Sequence, residues 1–238
     1  MWLGSFVVAA LALVGAPREV TTVLPADAQA VGAPVGSGAD ASIASTAQGQ
    51  EIRIVAIGDS LFAGYRLGRR QGYPERLQSA LRESGLNARV INSAVLGDTT
   101  ASGLQRLKLV LGSLDRPPDL VIVELGHNDV VRGIPPGETR QNLAAIMAEL
   151  QRQGVQVLLM GIRAPASMGA AYTRDFDSIY GTLAKQFDAH LVPFFEGPIH
   201  DKPQLLQPDH VHPTAQGVDV LVSATLDAVK AALRIARP

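Results

Sequence analysis

A hydroxyl, an imidazole and a carboxylate stand at two places in this chain where a fold could bring them together. Ser60 ends the apolar β-type run Ile54-Val55-Ala56-Ile57-Gly58-Asp59-Ser60-Leu61, and Asp209-His210-Val211-His212-Pro213 lies near the C-terminus. A serine hydroxyl is a poor nucleophile at neutral pH, so it needs a base within hydrogen-bond reach and a third group that holds the base in the right tautomer. Ser60, His212 and Asp209 supply those three groups, which nucleophilic acyl transfer requires. With Asp209 three residues before His212, one short loop would deliver the base together with its orienter. The base must be neutral to accept a proton, so the rate is expected to rise with pH through an ionisation near the imidazole reference of about 6.5.

Those residues need a scaffold, and the hydrophobic pattern indicates one. Apolar β-type runs recur at Ile52–Ile57, Ala88–Asn92, Leu120–Glu124, Val155–Gly161 and Leu191–Pro193. Helical patterns alternate with them at Tyr73–Ser84, Thr99–Leu111, Glu138–Gln153, Thr173–Phe187 and Thr214–Arg234. Such alternation predicts an α/β fold, a five-stranded parallel sheet with helices on both faces. Val121-Ile122-Val123 and Val157-Leu158-Leu159 are continuously apolar, as strands buried on both sides should be. Pro213 before Thr214 suits a helix start, and Gly154 suits a helix end. Ser60 then follows the first strand, Gly97 the second, Asn128 the third, and Asp209 with His212 the fifth. All of them leave carboxyl ends of the sheet, the edge at which open α/β sheets bind ligands.

Ser60 does not lie in a Gly-x-Ser-x-Gly elbow, because Phe62 takes the place of the second glycine. The block Gly58-Asp59-Ser60-Leu61, then Asn92-Ser93-Ala94-Val95-Leu96-Gly97-Asp98, Val123-Glu124-Leu125-Gly126-His127-Asn128-Asp129 and the terminal Asp209-His210-Val211-His212-Pro213 follow one another in the order of four sequence blocks. Together they resemble the SGNH or GDSL hydrolase superfamily, and most closely its bacterial arylesterase, lysophospholipase and acyl-thioesterase I group. The resemblance runs from about Ile52 to the end of the last helix. It implies a flavodoxin-like three-layer α/β/α sandwich, with Ser60 as nucleophile, His212 as base and Asp209 as its orienter. It also implies an oxyanion hole made of the Ser60 N–H, the Gly97 N–H and the Asn128 side-chain amide. Preorganised donors of this kind are what a tetrahedral oxyanion needs. The activity implied is hydrolysis of small-molecule esters, thioesters or lysolipids through an acyl-serine, with no cofactor.

His127 departs from that group, whose members commonly carry a small residue there. It is expected either as a turn residue with a solvated ring or, with a positive φ, as a ring that narrows the acyl pocket or touches the leaving group. The loop Ala164–Tyr172 is small and apolar, which assigns Ala164 and Pro165 to substrate binding and favours an acyl chain over a sugar. A carbohydrate O-acetylesterase is the alternative within the same chemistry, and a catalytically inactive lipid-binding module is the alternative outside it. Asp209, His210 and His212 are chemically adequate for zinc, but no third nitrogen or sulfur ligand is evident and the chain has no cysteine, so no metal is expected. His190 and His200 read as structural or solvated.

The 238 residues, 47% hydrophobic with a formal charge of −1, suit one buried α/β domain and give no basic excess for nucleic acid. Trp2–Ala16 is almost wholly apolar yet too short to span a bilayer, and Ala28-Gln29-Ala30 supplies an A-x-A-like cleavage site. Residues 1–30 are therefore expected to be a signal peptide and residues 31–50, rich in Gly, Ala, Ser and Pro, a disordered linker ahead of a hydrolase domain at 51–238. A periplasmic or secreted monomer without stable membrane insertion follows, a membrane-tethered N-terminus being the alternative.

Overall fold

The structure, a computed structural model, describes residues 49–235. The signal peptide and nearly all of the linker expected from the sequence lie outside the described residues. Five strands form one parallel sheet: β1 (Ile52–Gly58), β2 (Ala88–Asn92), β3 (Leu120–Glu124), β4 (Gln156–Met160) and β5 (His190–Val192). Their order is β2-β1-β3-β4-β5, the flavodoxin-like order. The chain runs outward from β1 to β2 and then returns to β3 on the other side of β1. That reversal opens a crevice between the carboxyl ends of β1 and β3, where Gly58 pairs with Glu124.

Every residue of β1 and β3 is buried, which explains their unbroken apolar character. Alternate residues nonetheless serve different cores. Ile54, Ala56, Ile122 and Leu158 join the core beneath α2 (Tyr73–Glu83) and α7 (Ala215–Ile235). Val55, Ile57, Val121, Val123 and Leu159 join the core beneath α3 (Thr100–Gly112), α5 (Pro136–Arg152) and α6 (Ala170–Gln186). The result is a three-layer α/β/α sandwich with the sheet in the middle.

Boundaries differ from expectation by a few residues. Helix α5 starts at Pro136 rather than Glu138, because a proline without an N–H fits the first helical position. Strand β5 begins one residue early, at His190. The span Ala164–Tyr172 is not an open loop: Ala166–Met168 forms a 3₁₀ turn and α6 begins at Ala170. Two short helices were not expected at all, α1 (Ser60–Ala63) and α4 (His127–Val131), since four or five residues are too few to show a period. Both carry groups of the candidate site.

Candidate active site

Ser60 is the first residue of α1, so its side chain leaves the crevice end of β1 at the start of a helix. Asp59 caps that helix, its Oδ1 accepting the Leu61 N–H at 3.0 Å. Two residues on, Phe62 anchors the turn by stacking on Tyr73 at 4.6 Å and meeting the edge of Phe195 at 5.5 Å, all three rings buried. Phe62, which breaks the elbow pattern in the sequence, is thus the packing foot of the Ser60 turn.

Across the crevice, residues 209–212 form a tight loop. Asp209 Oδ1 accepts the N–H groups of Val211 and His212 at 3.1 and 3.0 Å, while its Oδ2 meets His212 Nδ1 at 3.0 Å. Burial works to raise the Asp209 carboxyl, but these hydrogen bonds and the imidazole outweigh it and hold the group at about 2. The opposite ring nitrogen, Nε2, lies 2.8 Å from Ser60 Oγ. Tyr65 packs its ring against the imidazole at 4.5 Å.

Gln207 clamps this loop to the first. Its backbone N–H donates to the His212 carbonyl at 2.7 Å, and its side-chain amide donates to the carbonyls of Pro213 at 2.9 Å and Tyr65 at 2.8 Å. One buried amide therefore fixes the position of His212 relative to the segment that follows Ser60. Nothing in the sequence marks Gln207, because its partners are backbone carbonyls and one of them is far away in the chain.

Gly97 and Asn128 face the same crevice from β2 and β3. Gly97 takes φ 78°, and Arg132 donates to its carbonyl at 2.7 Å. Arg106 of α3 ties the surrounding segments by donating to the Asp98 carboxylate and to the carbonyls of Ser93 and Gly58. The Asn128 amide is already engaged: Nδ2 donates to Asp59 Oδ2 at 2.8 Å and to the Asp98 carbonyl at 2.9 Å. A third acceptor must therefore share or displace one of these. The Asp98 carbonyl is the weaker competitor, since a charged acceptor holds an N–H about twice as strongly as a neutral one.

Beneath the Ser60 turn lie carboxyl groups that the sequence reading passed over. Glu124 is fully buried, accepts the Asp59 N–H at 3.3 Å and leaves its other oxygen without a hydrogen-bond partner among the described residues. Burial, then the Asp59 charge, pushes it well above the usual carboxylate range. Burial likewise raises Asp59 to about 6 and Glu196 to about 7. A neutral Glu124 spares the Asp59 carboxylate a second negative charge in the same dry space.

The backbone around His127 differs from expectation. The positive φ, 129°, belongs to Gly126, where a Cβ would lie 2.2 Å from the buried Tyr180 hydroxyl. His127 itself is the first residue of α4, half-buried, and its imidazole is pushed below its usual value by burial and then by His212. A fully solvated ring is thus corrected: His127 lines a cavity of about 470 Å³ together with Arg163, Ala164, Pro165, Phe194 and His200. His210, with φ 58°, and Val211 close the wall nearest His212. The cavity is less apolar than the 164–172 segment suggests, because Arg163 lies 4.8 Å over the Phe194 ring and His200 meets that ring edge-on at 5.3 Å. No group of three metal-ligating side chains converges among the described residues, so Asp209, His210 and His212 do not form a ligand cluster.

The chain is similar to known hydrolases. The profile of the GDSL-like lipase/acylhydrolase family matches residues 56–220. Esterase TesA of Pseudomonas aeruginosa is 37% identical over 177 residues, which is 74% of this chain and 87% of that protein. Thioesterase 1/protease 1/lysophospholipase L1 of Escherichia coli strain K12 is 39% identical over 160 residues, 67% of this chain and 74% of that one. Among solved structures, the SGNH-hydrolase family esterase AlinE4 is 57% identical with a TM-score of 0.67, the match covering 78% of this chain and 98% of AlinE4. A serine, an imidazole and a carboxylate in hydrogen-bond contact at the crevice of this fold, in a chain so similar to these hydrolases, place it among enzymes: the chain belongs to the GDSL-like lipase/acylhydrolase family.

Proposed function

We propose that this enzyme cleaves carboxylic esters and thioesters through an acyl-serine intermediate in which Ser60 is the nucleophile, His212 the base and Asp209 its orienter. The observation that carries the reading is the unbroken relay from Ser60 Oγ to His212 Nε2 at 2.8 Å and from His212 Nδ1 to Asp209 Oδ2 at 3.0 Å. Ser60 Oγ attacks the acyl carbon as its proton passes to His212 Nε2. The imidazolium, steadied by Asp209, then protonates the leaving oxygen or sulfur, and the C–O or C–S bond breaks. Water, deprotonated by the same imidazole, attacks the acyl-serine, and the proton returns to Ser60 as the acid departs.

The Ser60 N–H, the Gly97 N–H and the Asn128 amide would stabilise the oxyanion, Asn128 by giving up its bond to the Asp98 carbonyl. Asn128→Ala should therefore lower kcat about 10²–10³-fold with little change in KM, because the donor acts only once the oxyanion forms. A variant with raised KM and normal kcat would remove Asn128 from that role.

Substrate range is set on this reading by the cavity beside His127. The His127 ring narrows it, so His127→Gly should change the ratio of short-chain to long-chain ester kcat/KM, a methylene of misfit being worth about 1–3 kcal/mol. An unchanged chain-length profile would reduce His127 to a wall residue without influence. Thioesters and lysophospholipids enter the proposal through the E. coli relative's name, and acetylated xylan enters as the carbohydrate alternative that the polar lining of the cavity keeps open. Labelling with a fluorophosphonate and turnover of a panel of those substrates tests the proposal. Folded protein that fails to label at Ser60 would overturn it. Export by way of residues 1–30 and action as a monomer belong to the same proposal. The apolar run Trp2–Ala16 and the Ala28-Gln29-Ala30 site support the first, and among the described residues no helix is long and apolar enough to cross a membrane.

A further inference from the structure

The loops at the carboxyl edge of the sheet are charged in an uneven way. Four of them, following β1, β2, β3 and β4, carry the acids Asp59, Asp98 and Asp129, and all three are buried. The same four loops carry Arg66, Arg69, Arg70, Arg132 and Arg163, and all five are exposed. None of the five forms an ion pair among the described residues: Arg66 and Arg163 lie over the rings of Tyr65 and Phe194, and Arg132 donates to the Gly97 carbonyl. Glu75, which lines an open hollow together with Arg69 and Arg70, pairs with neither and accepts from Asn92 Nδ2. The fifth loop, before His212, exposes Asp201, Lys202 and Asp209, and Asp209 is engaged by His212. On the first four loops the exposed charge is thus entirely positive, in a chain whose formal charge is −1.

Exposed apolar side chains share the edge. Val95, Leu96 and Val131 are 46, 57 and 71% exposed, and they are three of the four large apolar side chains found exposed among the described residues. Val95 and Leu96 precede Gly97, and Val131 precedes Arg132, which grips Gly97, so the three flank the mouth of the site. Exposed apolar residues beside unpaired cations form a surface that a soluble polyanion would only half satisfy. An anionic lipid leaflet satisfies both, through phosphate charge and through the acyl boundary just beneath it.

We propose that this edge is a docking surface for anionic lipid, which seats the crevice against the leaflet. Arg66, Arg69, Arg70, Arg132 and Arg163 meet headgroup phosphates, while Val95, Leu96 and Val131 enter the interface. The attraction acts over about a Debye length, some 8–10 Å at ordinary ionic strength, and weakens with salt. Each basic side chain near such a surface strengthens partitioning about fivefold.

Co-sedimentation of the full chain with phosphatidylcholine vesicles, with and without phosphatidylglycerol, tests this surface. Wild type should prefer the phosphatidylglycerol vesicles, and high salt should erase the preference. R69Q/R70Q should weaken binding to those vesicles about twenty-five-fold while leaving binding to pure phosphatidylcholine unchanged, and fluorophosphonate labelling of Ser60 verifies that this variant is folded. R163Q, on a separate loop, should weaken it about fivefold, so the surface can be tested even if R69Q/R70Q folds badly. Val131→Ser should lower anionic-vesicle binding without changing its salt dependence. Equal binding to both vesicle types, or full binding by both arginine variants, overturns the proposal, as does capture by dextran sulfate that equals capture by vesicles and ignores Val131. Vesicle binding needs no turnover, so a negative result here leaves the esterase reading standing, and a Ser60 that fails to label leaves this surface standing.

Discussion

Ser60→Ala should lower kcat on the order of 10⁶-fold, to the level that a serine hydrolase keeps when only its oxyanion donors and binding cleft remain. The size of the effect follows from the role of the hydroxyl. Without Oγ no acyl-enzyme forms, and water would have to attack directly from a position that His212 Nε2, 2.8 Å from the missing oxygen, is not placed to serve. The fold should survive, because the Ser60 turn is held by the Asp59 cap and by Phe62 against Tyr73 and Phe195, none of which involves the hydroxyl. Steady-state kinetics together with fluorophosphonate labelling reads both consequences. If more than a few per cent of activity remained, the nucleophile would lie elsewhere. Ser93 is the next serine in the sequence blocks, but in the structure its N–H bonds to the Ala56 carbonyl and its own carbonyl to Arg106, and its side chain has no hydrogen bond to an imidazole among the described residues.

Why Ser60, Asp209 and His212 could be read in advance, and Gln207, Arg106 and Glu124 could not, comes down to what kind of information each carries. The first three have chemical types that fulfil roles by themselves, and the apolar strands before them show on which edge they must emerge. Gln207 acts on backbone carbonyls, as Arg106 does beside its bond to the Asp98 carboxylate, and every residue possesses a carbonyl, so no pattern along the chain picks out those partners. Glu124 ends a strand in which all five residues are buried, and sequence alone makes it look like an ordinary polar boundary. Only the structure shows it enclosed beside Asp59.

The strands were legible for a related reason. Burial on both faces demands unbroken apolar runs, and Val121-Ile122-Val123 or Val157-Leu158-Leu159 can hardly signal anything else. The short helices were not, since α1 and α4 are too brief for a periodic signal and their first turns consist of residues of the candidate site. A positive φ was open at His127 beside a plain turn conformation, and it falls on Gly126 instead. The sequence offers two adjacent candidates for the left-handed residue, and steric cost assigns it to Gly126, where Tyr180 leaves no room for a Cβ.

His212→Ala is the second change expected to bring kcat near background, again on the order of 10⁶-fold, and it also makes the relay testable as a unit. Asp209, held at about 2 by the hydrogen bonds that outweigh its burial, stays ionised throughout the neutral range, so it contributes no acid limb of its own there. Asp59, raised to about 6 by burial, should make the wild-type rate rise with pH through that value, because its carboxylate must be present to hold Asn128 and cap α1. That limb should persist in the residual activity of His212→Ala. Asp209→Asn should cost about a hundredfold less than loss of the imidazole, since the base remains and only its orientation and charge partner suffer. The decisive measurement is the double variant S60A/H212A. If Ser60 and His212 act together, it should be no slower than either single variant, because the second substitution removes nothing that the first has left working. A double variant slower by the product of the two single effects would mean that serine and histidine act independently, and the 2.8 Å contact between them would not be the catalytic relay.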